Sequence, residues 1–342
     1  MNPTPLPSAG PGCFAGPRAR RRSRRSFLGA LVCASALACA SFPAPIRSAE
    51  NAPPTPAAAE PLFRFGVIAD IQYADKPAPG VRQYRTSLAK LDRCVAWLNR
   101  QPLAFVANLG DIIDGNGPRS AEDLARVSEH LKPLQAPWRH VIGNHCLELD
   151  RAVLLPALGL SAPWYEFTQN GWRFLVLDGM DVSVKAPKDS PSGRAAREYL
   201  DINPKLPTYN GALGPDQLEW LKAQLAAARA AGQRVIVMCH HPVLPAASDA
   251  SSILWNGAEV VNVLVEAGCV AAWFNGHDHR GGYAEHQGIH FVTFPGLVEA
   301  PADQSACAIV EVRPDRLVIQ GLGTVPSRTL ALRPLPRDPA GR

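Results

Sequence analysis

Five short clusters of Asp, Gln, Asn and His, each standing where an apolar run stops, constrain this chain more than any other feature of it. The runs Phe63–Asp70, Ala104–Asp111, Arg139–Gly143, Arg234–Cys239 and Val270–Asn275 are almost continuously apolar, the pattern of strands covered on both faces. They end in Asp70-Ile71-Gln72, Gly110-Asp111, Gly143-Asn144-His145, His240-His241-Pro242 and Gly276-His277-Asp278-His279. In open α/β sheets, sites form at the carboxyl ends of strands. Strand ends carrying oxygen and nitrogen donors therefore predict one shared site.

Between these runs, Tyr84–Asn99 sets Leu88, Leu91, Val95 and Leu98 on one helical face, and Pro215–Ala231 does the same with Leu218, Leu221 and Leu225 before Gly232. Ile253–Ala267 is a third expected helix. Asn170-Gly171, a favoured tight-turn pair, joins the strand candidates Trp164–Phe167 and Trp172–Asp178, and two more strands flank Pro314-Asp315. Strands alternating with helices, with hairpins added, predict an α/β (α+β) fold of mixed sheets between helical layers, in one domain.

The net charge of +5 belongs to the first 49 residues, which hold seven arginines and no acid. Removing them leaves 28 basic against 30 acidic residues, near −2, so no basic surface for nucleic acid is expected on the remainder. Ser23-Arg24-Arg25-Ser26-Phe27-Leu28 resembles a twin-arginine export motif and precedes an apolar run from Phe27 to Ala40. That run falls short of the roughly 20 residues of a membrane span. Residues 1–49 thus read as a signal peptide for the twin-arginine export machinery, cut near Ala38-Cys39-Ala40 or Ser48-Ala49, with a periplasmic product. Lipidation at Cys39 is a weaker variant, since Leu is missing at position 36. Residues 50–62 read as a Pro/Ala-rich linker, 63–330 as the folded domain and 331–342 as a Pro-rich tail. The mature part keeps Cys94, Cys146, Cys239, Cys269 and Cys307. An odd count without a CxxC pair predicts buried free thiols rather than disulfides or a zinc knuckle.

A mixed oxygen and imidazole donor set without thiolate suits Mn²⁺, Fe or Zn²⁺ in a reactive site rather than a structural zinc. Two cations about 3.5–4 Å apart need a shared carboxylate, for which Asp111 is the candidate. His130 falls on an expected helix surface, His286 and His290 flank a hairpin turn and His140 precedes the third strand; these four read as structural. Asp114 and Asp278, beside the candidates, read as supports that orient imidazoles.

The order Asp-x-Gln, Gly-Asp-x-x-Asp, Gly-Asn-His, His-x-Pro, Gly-His-x-His resembles the calcineurin-like metallophosphoesterase superfamily. More narrowly, the stretches Phe65–Asp75, Tyr84–Leu88, Tyr209-Asn210-Gly211, Gly276–Tyr283 and Gly321–Thr329 resemble its manganese-dependent ADP-ribose/CDP-alcohol diphosphatases. The resemblance implies a four-layer αββα sandwich, two mixed sheets flanked by helices, with two divalent metals, Mn²⁺ foremost and Fe, Mg²⁺ or Zn²⁺ as alternatives. One metal would be held by Asp70, Gln72, Asp111 and His279, the other by Asp111, Asn144, His240 and His277. The superfamily pattern selects His240 over His241, and His145 would be the non-ligand histidine that protonates the leaving oxygen. The implied reaction is hydrolysis of a pyrophosphate bond in a small nucleoside diphosphate compound, with a cyclic-nucleotide phosphodiesterase or broad phosphomonoesterase as alternative. A non-catalytic scaffold of the same fold would lack ligands or the histidine, and none is missing. Two departures stand out. Gln72 replaces the usual His, as in the diphosphatase branch, and tilts the site toward the harder Mn²⁺ or Mg²⁺. Cys146 replaces the usual acid, which puts the stability of its loop in question.

Overall fold

The computed structural model describes residues 60–77 and 80–335. The expected signal peptide, most of the linker and residues 336–342 of the tail lie outside them. The apolar runs become strands, each shorter than its run because the last residues turn away into the motifs. In chain order the elements are β1 (Phe63–Ile68), α1 (Ser87–Leu98), β2 (Val106–Asn108), α2 (Ser120–Leu131), β3 (Trp138–His140), α3 (Arg151–Ala157), β4 (Tyr165–Gln169), β5 (Trp172–Val176) and α4 (Pro191–Ile202). There follow α5 (Pro215–Ala230), β6 (Val235–Met238), α6 (Gly257–Ala267), β7 (Val270–Asn275), β8 (Gly282–His286), β9 (Ile289–Thr293), β10 (Ala306–Val312), β11 (Arg316–Gly323) and β12 (Arg328–Ala331).

Two mixed six-stranded sheets result, in the orders β12-β11-β10-β1-β2-β3 and β4-β5-β6-β7-β9-β8. β1, β2 and β3 run parallel, as do β5, β6, β7 and β9, while hairpin partners add antiparallel edges. The sheets meet through aromatic side chains. Phe65 stacks on Phe105 at 4.8 Å between centroids and meets Phe174 edge-on at 5.6 Å, with Phe274 at 6.3 Å. Each such pair adds about 0.5–1.5 kcal/mol beyond area burial. Leu221 and Leu225 of α5 and Val260 and Leu264 of α6 pack with Val235, Val237 and Trp273 on the second sheet. Apolar side chains of α1 and α2 join the core of the first. The two mixed sheets with flanking helices are the expected architecture.

Several boundaries differ from expectation. Tyr84–Thr86 forms a 3-10 turn ahead of α1. α6 starts at Gly257 rather than Ile253, because the preceding loop is tied elsewhere: Asn210 Nδ2 donates to Ser251 O and Ile253 O, and Asn256 pairs with the Leu213 backbone. His140 ends β3 instead of preceding it, and burial pushes its imidazole down to about 4, so it stays neutral beside Asn108. His130 sits on α2, paired with Asp92 at 2.7 Å. Asn170 and Gly171 form the hairpin turn with φ of 47° and 80°. The five described cysteines are free and buried. Among the described residues no helix is long and apolar enough to cross a membrane.

Candidate metal centre

The parallel strands deliver their motifs to one place, and backbone hydrogen bonds then lace the motif loops together. Asp70 N donates to Gly110 O (3.2 Å), Gln72 N to Asp111 O (2.8 Å) and Gly276 N to His240 O (3.1 Å). Among the described residues six non-glycine residues have positive φ: Asn170 and Gln287 in hairpin turns, and Asp70, Gln72, Asp111 and His277, all predicted site residues. Backbone strain of about 1–3 kcal/mol per residue persists where the surroundings hold it and collects at functional sites. The glycines of the motifs answer to space. A Cβ on Gly143 would lie 2.1 Å from Asp111 Oδ1, and one on Gly276 2.4 Å from Asp70 Oδ2.

The predicted donors converge. His240 Nε2 lies 3.2 Å from Asp111 Oδ2, 3.1 Å from Asn144 Oδ1 and 3.1 Å from His277 Nδ1. Gln72 Nε2 is 3.1 Å from Asp111 Oδ2, and His279 Nε2 is 3.5 Å from Asp70 Oδ1. Donor atoms of Asp70, Asp111 and His240 all fall within 4.8 Å of one another. His241 stacks obliquely on His277 and directs Nε2 at Tyr209 O (3.4 Å) instead of at the carboxylates. Asp111, Asn144, His240 and His277 form one half of the cluster and Asp70, Gln72 and His279 the other, joined through Asp111.

Each inward-facing imidazole is fixed through its second nitrogen. His240 Nδ1 donates to Leu109 O (2.9 Å), His277 Nε2 to Asn210 Oδ1 (2.8 Å) and His279 Nδ1 to Glu299 Oε1 (2.8 Å). This selects the tautomers that point lone pairs at the cluster. Asp278, expected to orient an imidazole, instead binds Ser248, the Asp249 backbone and Arg280. With φ +69° at His277 the chain turns, and Asp278 leaves the site although its sequence neighbours enter it. Asp114 does act on a histidine: its carbonyl accepts from His145 Nδ1 at 2.9 Å, and its carboxylate lies 3.4 Å away.

Electrostatics show what the cluster demands. Burial opposes ionisation of Asp111, but His240 and His145 outweigh it and hold the carboxyl well below the usual range. Burial also opposes charge on His240 and His279. The neighbouring carboxylates prevail, Asp111 raising His240 to about 8, and Asp70 and Glu299 raising His279 to about 10. His277 is driven well below its ordinary value by burial and by His241 and His240, so it stays a neutral donor. A field that binds protons this firmly also binds cations, and protons compete with them as pH falls. Gln72 Oε1 is buried without a hydrogen-bond partner, a deficit that a bound cation would make good. The residues present fit two divalent cations.

His145 stands apart from the donors. Its backbone N–H donates to Asp111 Oδ1 (2.8 Å) and its Nδ1 is engaged by Asp114, so Nε2 is left for whatever enters the cleft. That cleft, of about 450 Å³, is lined by Gln72, Asp111, Asn144, His145, His277 and His279 together with Arg82, Glu148, Lys185, Tyr209 and Ser252. Cysteine at 146 packs inside the loop. The thiol is fully buried and driven up to about 12 by burial and by Asp111, and the His145 backbone bond anchors the turn.

Asn210 and Glu299 are the supports that sequence reasoning missed. Asn210 lay inside the Tyr209-Asn210-Gly211 stretch, which carried family resemblance but no role; Glu299 had no signal. Glu299 sits in a 3-10 turn, Leu297–Glu299, pinned to the first strand by Leu297 N→Ala69 O and Val298 N→Asp70 O, both 3.0 Å. The turn is held from below by Lys90 of α1, fully buried, whose Nζ donates to Leu297 O, Val298 O and Ala300 O at 2.9–3.0 Å. Burial lowers this ammonium to about 8 from 10.5. Between those values the unfolded chain binds more protons, so this group makes stability rise with pH across that window, while at pH 7 it is charged in both states. Lys90→Met is expected to strand three buried carbonyls and cost about 2–4 kcal/mol at pH 7. Urea unfolding measures this; a loss below 0.5 kcal/mol would show the turn to be held by other contacts.

The fold and this cluster define a phosphoesterase: the family model for calcineurin-like phosphoesterases matches residues 63–281, and the chain belongs to that family. Among its relatives, a protein from Oryza sativa subsp. japonica is 34% identical over 307 residues, covering 80% of this chain and 96% of the relative. One from Arabidopsis thaliana is 35% identical over 297 residues, covering 78% and 96%. Both are named manganese-dependent ADP-ribose/CDP-alcohol diphosphatase. A dimetal phosphatase structure from Danio rerio superposes with TM-score 0.75 at 30% identity, covering 80% of this chain and all of that one. The chain is thus a hydrolase of the metallophosphoesterase class with a fold built for two metals.

Proposed function

We propose that this enzyme hydrolyses the pyrophosphate bond of nucleoside diphosphate compounds such as ADP-ribose and CDP-alcohols, using two Mn²⁺ ions. The convergence of six predicted donors around the shared Asp111, with the His145 side chain beside them but turned to Asp114, carries the reading. Asp70, Gln72, Asp111 and His279 would hold one cation, and Asp111, Asn144, His240 and His277 the other. When bound there, two such cations would supply Lewis-acid charge and lower the pKa of a bound water. Asn210, Glu299 and the Leu109 carbonyl keep the imidazoles in register. Arg82 and Lys185, on the cleft wall, attract the diphosphate. His145, aligned by the Nδ1–H bond to the Asp114 carbonyl, acts in its imidazolium form, giving the Nε2 proton to the departing phosphate oxygen and ending as the neutral Nδ1–H tautomer.

The substrate class is supported by relatives of that name at 34–35% identity over most of their length. A panel of ADP-ribose, CDP-choline, a cyclic nucleotide and a phosphomonoester, given to chelator-stripped protein reloaded with Mn²⁺, Zn²⁺ or Ca²⁺, tests it. Nucleoside monophosphate release from the diphosphates, best with Mn²⁺, is expected because the Gln72 amide is a hard ligand. A preference for the cyclic nucleotide or monoester, or for Zn²⁺, would overturn it. Export by the twin-arginine route to the periplasm is part of the proposal, resting on Arg24-Arg25 ahead of the short apolar run. An Arg24→Lys, Arg25→Lys variant is expected to remain in the cytoplasm on cell fractionation; unchanged periplasmic recovery would reject this route.

A further inference from the structure

A second cavity, of about 550 Å³, opens beside the cleft, and Lys185 lines both. Its floor holds Arg151 and the buried Asp178: Arg151 Nη1 lies 2.6 Å from Asp178 Oδ2, although neither atom makes a hydrogen bond, and Arg151 Nη2 donates to Met180 O (3.1 Å). Trp164 and Leu149 contribute apolar lining. The lining holds three carboxylates, Asp150, Asp178 and Asp181, against two cations, Arg151 and Lys185, so away from Lys185 it does not favour an anion. One acceptor remains open. Asp181 Oδ2 accepts from Gly214 N (2.9 Å) and Gln217 Nε2 (3.1 Å), while Oδ1 has no such partner and is available to a hydroxyl. A flat apolar face beside a carboxylate acceptor suits a neutral, hydroxyl-bearing ring.

The seam between cavity and cleft is the Lys185–Glu148 pair, 2.5 Å apart with each side chain more than a third exposed on average. An exposed pair of this kind contributes little and exchanges readily, so a phosphate in the cleft can draw Lys185 from Glu148. His145 begins the turn that carries Glu148 and leads into the cavity wall.

The geometry points to this cavity as the subsite for the sugar-bearing half of the substrate that departs with the proton from His145, with Trp164 stacking on the ring, Asp181 accepting a hydroxyl and Lys185 holding the adjoining phosphate. The inference rests on the diphosphate reading above. It is tested with Trp164→Ala and Asp181→Asn in the manganese-loaded protein, comparing kcat/KM for ADP-ribose with that for methyl p-nitrophenyl phosphate, whose departing p-nitrophenolate has neither the second phosphate nor the sugar hydroxyls. The ratio of the two is expected to fall about 10-fold in Trp164→Ala, through KM for ADP-ribose, and about 3–10-fold in the near-isosteric Asp181→Asn. Inhibition by one of the two products, the one bearing the departing half, is expected to weaken in parallel. An unchanged ratio in both variants would overturn the subsite while leaving the diphosphate reading intact. Wild-type protein that cleaves the aryl diester but no diphosphate would overturn the diphosphate reading, and the subsite with it.

Discussion

Replacing His145 by alanine is expected to leave the metal content unchanged and to lower turnover about 10²–10⁴-fold, the scale on which a general acid contributes. The expectation follows from geometry. The His145 side chain contacts Asp114, not the donor cluster, and only its backbone N–H touches Asp111. The loss should shrink with an aryl phosphate ester, whose leaving group needs no proton. Asn144→Ala is the contrast, because Asn144 Oδ1 lies within the cluster, 3.1 Å from His240 Nε2. It should lose metal and recover part of its activity in excess Mn²⁺. Elemental analysis of the two variants with turnover on both substrates separates the roles. Loss of metal from His145→Ala, or equal slowing of both substrates, would contradict the acid role.

The second large effect belongs to Asp111. Its carboxylate touches both halves of the cluster, meeting Gln72 and His240 as well as the His145 backbone. Asp111→Asn keeps its size but removes the charge and one ligand oxygen. Its Mn²⁺ affinity should fall by more than the roughly 10–100-fold typical of supporting residues, while Asn210→Ala and Glu299→Gln should lie within that range. Titration calorimetry on the metal-free proteins gives the ranking. An Asp111 variant no weaker than the two supports would remove Asp111 from the central position.

What the sequence made legible follows from what burial does to composition. Strands covered on both faces must be apolar, so the polar residues that end them at Asp70, Asp111, Asn144, His240 and His277 stand out. The same contrast made α5 and the Asn170-Gly171 hairpin readable. α4 was obscure because it buries little beyond Gly193 and Ala196. Supports were harder than donors. Glu299 meets His279 through a turn held by Lys90, 207 residues before Leu297, and by backbone bonds to Ala69 and Asp70. No local pattern encodes that approach. Asp278 was misplaced for the converse reason: adjacency to two histidines in the chain says nothing of direction when the backbone between them is left-handed.

The central claim is that these residues hold two cations side by side. Electron paramagnetic resonance during titration of metal-free protein with Mn²⁺ tests it most directly. Two ions sharing Asp111, about 3.5–4 Å apart, should give an exchange-coupled spectrum as the second equivalent binds, with ADP-ribose hydrolysis rising alongside it. Saturation at one equivalent with full activity, or the uncoupled six-line signal of isolated Mn²⁺ at two equivalents, would contradict the account.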